Sequence, residues 1–329
     1  MRAPLGTRWD IVIGNAHEPS FSHGAIVPEL PPAELVFDAL KQVVIPAAGA
    51  AALALALFLT LGRWARALGS GVAVLAGIAF ANWHRKFPLL KWTPDDDPET
   101  WLFPAASLLV AVGLLSRWGG LIVRHFTQKS GWWWTANAAV WLPRVAAVLL
   151  VSGWGIPPPV AVVEPNLRWL IAAGVLLAWV VVDGVTRAGC SNEVVALLSL
   201  TAVCAGGVMV FAHSGKYLDI GTTLGMALFG VTAVGVAAKA DTGGAVPAAL
   251  GFLPGFVVGG RFATSSEVPA ESFWLVCVAP LALLPFLVPA LARRHGPFVR
   301  LVRLLLVLAP LAAALVLAQR HDPLSFGEW

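Results

Sequence analysis

The sequence predicts an all-α fold, a polytopic transmembrane helix bundle of about ten spans with no sizeable soluble domain. Hydrophobic residues fill 58% of the 329 positions and charged residues only 12%. Mean hydropathy is +0.79. From Val43 to Ala318, apolar runs alternate with short charged connections. Hydrocarbon offers the backbone no hydrogen-bond partner, so runs of this kind must satisfy themselves as helices. A membrane barrel would alternate apolar and polar residues, and these runs do not.

Residues 1–42 form a polar tail. Within it Pro31-Pro32 followed by Ala33 to Leu40 reads as a helix start with proline in the first turn, lying along the interface and leading into the first span. No continuous apolar core occurs in the first 30 residues, so no cleavable signal is expected and the first span serves as the insertion signal. The bundle occupies 43–319, and 320–329 are a short tail. About 20 residues cross a hydrocarbon core of about 30 Å. On that measure the first five spans are Val43 to Leu61, Leu68 to Trp83, Trp101 to Leu115, Trp133 to Trp154 and Leu167 to Val185. The second five are Val194 to Ala212, Ile220 to Ala238, Ala245 to Gly259, Phe273 to Leu291 and Leu304 to Ala318. Tryptophan prefers the headgroup level, and Trp64, Trp83, Trp101, Trp154, Trp169 and Trp274 all mark span ends. Trp141 and Trp179 are interior exceptions.

Two spans are weak. The third is short unless Arg117 snorkels and the helix runs on toward Val123. The eighth is short and carries Pro247 and Pro254, which suits either a crossing helix or a re-entrant hairpin. The ninth, with Pro280, Pro285 and Pro289, should be kinked. Ser191-Asn192-Glu193 reads as the capped start of the sixth.

Orientation follows from the loops. The side holding Arg63, Arg66, Arg117, Arg124, Lys129, Arg187, Lys239, Arg293, Arg294, Arg300 and Arg303 carries few acidic residues. Its tight basic loops abut spans, so it is expected in the cytoplasm, with both termini external. A bacterial cytoplasmic membrane fits this composition. A net charge of +4 is no mark of nucleic-acid binding. A five-plus-five division near Gly189 is arithmetically available, but the halves show no sequence echo.

Small residues recur every four positions as Gly69, Ala73, Gly77 and Ala81, as Gly251, Gly255 and Gly259, and as Gly221 and Gly225. Such stripes permit close backbone approach, either to a helix of the same chain or to a partner or second copy within the bilayer. Pro254 beside Gly255 has a second reading. A bent or broken eighth helix would free carbonyls for a substrate.

Arg144, following Pro143 midway along the fourth span, is the strongest candidate site. A charge at bilayer centre costs roughly 2.5 to 3.5 kcal/mol on insertion scales, so Arg144 must face protein or a wet cavity. Asp183 on the antiparallel fifth span is its expected partner. The pair is either a structural tie or a substrate or anion site. The candidate substrate-binding set is therefore Arg144, Asp183, Pro254 and Gly255.

Other chemistry is excluded or bland. The turn His213 to Asp219 contains Gly215-Lys216, but Val210 stands where a phosphate loop needs glycine and Tyr217 where it needs Ser or Thr. Asp95-Asp96-Asp97-Pro98-Glu99 lacks the pattern of a calcium loop. The histidines show no zinc spacing, and Cys190, Cys204 and Cys277 form no CxxC pair. No cofactor, metal or catalytic residue is implied. In length and span count the chain is similar to the drug/metabolite transporter superfamily, a likeness of size without that family's local motifs. The functions that remain are a transporter or permease, a non-catalytic membrane subunit or scaffold of a larger complex, and an enzyme acting on lipid-linked substrates.

Overall fold

A computed structural model describes residues 40–61, 63–84, 101–127, 133–154, 166–212, 214–263, 268–292, 294 and 296–321. The expected tail helix before Leu40, the acidic run at 95–99, His213 and the last eight residues lie outside these. Among the described residues the structure is helical without strands. The long helices are α1 (Ile45–Thr60), α2 (Arg63–His84), α3 (Leu102–Thr127), α4 (Trp133–Trp154) and α5 (Leu167–Val185), followed by α6 (Ser191–Phe211), α7 (Gly215–Ala237), α8 (Val246–Ala263), α9 (Ala270–Val278) and α10 (Pro297–His321). A π-turn, Leu40–Val44, leads into α1.

Proline fixes several starts. Pro46 in α1, Pro104 in α3, Pro247 in α8 and Pro297 in α10 all lie in a first turn. There the missing N–H would have had no helical partner anyway. In the ninth segment the prolines act differently. The α-helix gives way to a 3-10 helix, Ala279–Leu287, and Val288 is extended with φ −66° and ψ 120°. The kink expected there takes the form of a tightened helix and then a break. α8, by contrast, runs unbroken through Pro254 and Gly255.

Other boundaries move outward. α3 continues past Arg117 to Thr127, and α10 begins seven residues before Leu304. Arg300 and Arg303 are therefore helical, not loop residues. The cap expected at Ser191 or Asn192 is not formed. Cys190 is the N-cap without a side-chain bond, and Asn192 Oδ1 instead accepts from the Thr242 hydroxyl at 2.8 Å.

α8 is central and touches α2, α3, α5, α6, α7 and α9. Its first residues, Val246 to Leu253, are all buried. That burial explains how a short, proline-bearing helix persists, since its neighbours rather than lipid surround it. The stripes face inward. Gly69, Ala73, Gly77 and Ala81 are buried, and a Cβ on Gly77 would fall 2.7 Å from the Ala47 carbonyl oxygen of α1 and 3.1 Å from Ala227 Cβ of α7. Gly221 and Gly225 meet the α6 backbone, and Gly251 meets Ala106 of α3. At these positions the stripes meet helices of the same chain.

Outward faces are apolar, including Leu53 and Leu57 of α1, Leu142 of α4, Leu177 of α5, and Leu301 and Leu305 of α10. Five stretches of the described residues are long and apolar enough to cross a membrane, namely Lys41–Thr60, Leu167–Phe211, Gly215–Ala237, Ala270–Leu287 and Pro297–Arg320. The second holds both α5 and α6, joined by a π-turn, Thr186–Cys190, in which Gly189 adopts φ 92°. Its 45 residues would measure about 68 Å if straight, more than twice a hydrocarbon core of about 30 Å. The left-handed glycine therefore marks the bend between two helices.

Candidate functional site

The site is built where α3, α4 and α5 meet. Pro143 lies inside α4, removing the donor to the Ala139 carbonyl, and the next residue is Arg144. Arg144 is 1% exposed, which makes it one of the largest fully buried side chains described. Its Nη1 pairs with Asp183 Oδ2 at 2.8 Å. Its Nε donates to Ser116 Oγ at 2.9 Å, and that hydroxyl donates to the Gly113 carbonyl at 2.9 Å. The guanidinium carbon lies 4.9 Å from the ring centres of both Trp141 and Trp179. A cation held against two indole faces gains attraction from both ring quadrupoles, and more so away from water.

Helical spacing explains the assembly. Trp179, Asp183 and Arg187 follow one another at four-residue intervals and so share a face of α5. Arg187 Nη2 reaches the same oxygen, Asp183 Oδ2, at 2.6 Å. One carboxylate thus serves a buried arginine and an outer one. The Asp183 backbone carbonyl accepts from the Thr186 hydroxyl at 2.9 Å, which ties the acid's helix end to the following turn.

Of the four candidate residues, the structure brings Arg144 and Asp183 together. Gly255 packs instead against Leu102 of α3, and Pro254 continues α8. Ser116 and Arg187 carry no distinguishing signal in the sequence, being a lone hydroxyl in an apolar run and a loop cation. Trp141 and Trp179 do carry one, since both stand away from span ends where tryptophan is otherwise found.

A second ion-pair cluster lies across the α5–α6 turn. Glu193 of α6 meets Arg303 Nη1 through Oε2 at 2.6 Å and Arg300 Nε through Oε1 at 2.7 Å. Arg303 is as buried as Arg144. Its Nη1 also donates to Cys190 Sγ at 2.9 Å, its Nη2 donates to the Arg294 carbonyl at 3.2 Å, and its guanidinium carbon lies 4.8 Å from the Phe286 ring. The i, i+3 spacing of Arg300 and Arg303 is the sequence signal for this cluster, once both are placed on a helix.

Elsewhere the polar features are modest. Tyr217, in the first turn of α7, is buried edge-on to Phe256. A cleft on the scale of one water molecule opens between Asn82, Leu102, Phe103, Thr223 and Phe252. Among the described residues no group of three His, Cys, Asp or Glu side chains could hold a metal ion. Comparison with protein-family models, curated proteins and solved structures returns no match to this chain.

Proposed function

We propose that this chain is a multi-pass integral membrane protein acting as a permease-like carrier for a small solute with an anionic group, received by Arg144. In this reading all ten long helices cross a bacterial cytoplasmic membrane, the basic loops are cytoplasmic and both termini are external.

The observation that supports it is the shared carboxylate. Arg144 is buried at the middle of α4, yet its counter-ion already has a second cation in Arg187. An incoming carboxylate or phosphate oxygen can take the place of Asp183 at Arg144. Asp183 then keeps Arg187, and no buried charge is orphaned by the exchange. A tie that was purely structural would have no need of the second arginine. The two indole faces and Ser116 hold the guanidinium in position through the exchange.

Uptake into proteoliposomes of labelled monocarboxylates, dicarboxylates and inorganic phosphate tests the reading. The expected result is saturable uptake of one class, abolished in Arg144→Met and reduced in Arg144→Lys, with both variants inserted and folded. Absence of uptake and of binding across the panel would overturn it. The second reading, a non-transporting membrane subunit, is favoured by the burial of Arg144 against Asp183, Ser116, Trp141 and Trp179. Co-purification of stoichiometric partners with a transport-silent protein would support that reading instead.

A further inference from the structure

Two carboxylates on either side of the α5–α6 turn are arranged alike. Asp183 is shared by Arg144 and Arg187, and Glu193 by Arg303 and Arg300. In each trio the inner arginine is 1% exposed, while the outer ones, Arg187 and Arg300, are 47% and 62% exposed. A buried guanidinium needs its counter-ion, because an unpaired charge there is far costlier than one in water. The inner arginine therefore neutralises the carboxylate, and the charge of the outer arginine is left over.

The outer donors are also underused. A guanidinium has five N–H groups. Arg187 commits Nη2 and Arg300 commits Nε, and the rest find no acceptor among the described residues. Anchoring each arginine on a carboxylate limits its rotamers, so less ordering is needed when an anion arrives. The α5–α6 turn links the two trios along the chain. Arg303 touches Cys190 at the end of the turn, and its Nη2 reaches back to Arg294, itself exposed. The α7–α8 connection closes the other flank through Thr242 and Asn192. Lys239 on that connection is exposed, and Asp241 turns one carboxylate oxygen onto its own Gly243 N–H at 2.9 Å.

We propose that this corner binds a phosphate group, and that the phosphate is that of an anionic lipid. The arginine fork suits phosphate oxygens in geometry and charge. The lipid source is argued from what adjoins Arg300 on α10. Phe298, Leu301, Leu304 and Leu305 are exposed apolar side chains in the same turns, placed to meet acyl chains beneath a headgroup. Basic pockets at helix ends are the membrane setting in which such headgroups are held.

The test uses the full-length protein in neutral detergent and reads thermal stability against added ligand. The probes are a short-chain phosphatidylglycerol, the matching phosphatidylcholine and inorganic phosphate. Phosphatidylglycerol should stabilise saturably and phosphatidylcholine should not. Each outer arginine removed should weaken binding roughly fivefold, so the pair Arg187→Gln/Arg300→Gln should lose roughly 25-fold. Arg187→Lys/Arg300→Lys should keep part of the effect, and Arg320→Gln, a cation at the far end of α10, should keep all of it. Binding of inorganic phosphate as tight as that of phosphatidylglycerol would assign the corner to free phosphate and overturn the lipid. Equal stabilisation of the wild-type and glutamine proteins, or equal effects of the two lipids, would overturn the site. Because the readout is lipid binding, failure here is separate from failure of solute uptake at Arg144.

Discussion

Arg144 and Asp183 look like a simple pair, but their dependence on each other is unequal. Asp183 has Arg187 as a second cation and is 13% exposed, whereas the Arg144 side chain is 1% exposed. Removing the acid breaks the ion pair of a fully buried guanidinium, which costs about 3–5 kcal/mol. Replacing the base with methionine keeps much of the volume and leaves Asp183 paired. Asp183→Asn should therefore lower the melting temperature more than Arg144→Met, even though it is the smaller chemical change. Thermal unfolding of the two variants in one detergent checks this, and the opposite order would mean that Asp183 is not the principal counter-ion. The Arg144–Asp183 contact was legible from the sequence because a mid-span charge must find a partner and the adjacent span offers one acid. The double indole contact was not. Helical register shows that Trp179 shares a face with Asp183, but only the crossing of α4 and α5 brings Trp141 and Trp179 to one guanidinium.

At the scale of elements, helix identity was written in apolar run length, and small-residue spacing pointed to the contacts. What the sequence concealed were ends and breaks. α10 absorbed Arg300 and Arg303 because a helix end can carry cations whose stems lie along protein, so polarity alone does not stop it. α8 remained continuous through Pro254 because packing on many sides offsets the cost of an interior proline, about 3 kcal/mol. The glycines make this testable as a contrast in sign. Gly49 of α1 has open space where a Cβ would go, whereas Gly77 of α2 has the Ala47 carbonyl oxygen 2.7 Å away. Alanine gains up to about 1 kcal/mol over glycine in a helix interior. Gly49→Ala should be neutral or stabilising. Gly77→Ala should destabilise by about 1–3 kcal/mol, because α1 must move off α2. Gly189→Ala should also destabilise, by about 1–2 kcal/mol, since φ 92° is left-handed and disfavours any Cβ. Melting temperatures of the three variants decide the matter, and a common sign for Gly49 and Gly77 would refute close packing at the α1–α2 contact.

For the whole molecule the deciding quantity is how the helices lie in the bilayer. α8 is ringed by six other helices, so its short apolar stretch need not match the hydrocarbon thickness unaided. If it failed to cross, every segment after it would change sides. Arg294, Arg300 and Arg303 would then leave the side that holds Arg63, Arg66, Arg187 and Lys239, against the tendency of basic loops to stay cytoplasmic. The internal contacts argue the same way. Arg303 reaches Cys190 and Glu193, and Thr242 reaches Asn192, so the start of α10, the α5–α6 turn and the α7–α8 connection meet at one end of the bundle. A re-entrant α8 would bring the α9–α10 connection out on the other side and separate groups that lie within hydrogen-bond distance. All ten helices are therefore expected to cross, with residue 296 cytoplasmic and residue 97 external. Single cysteines at these positions, in a chain with Cys190, Cys204 and Cys277 replaced, can be labelled in intact cells by a membrane-impermeant maleimide. Residue 97 should react from outside and residue 296 only after the membrane is opened. Labelling of residue 296 from outside, or protection of residue 97, would rule out the ten-span arrangement and the side assigned to the basic corner.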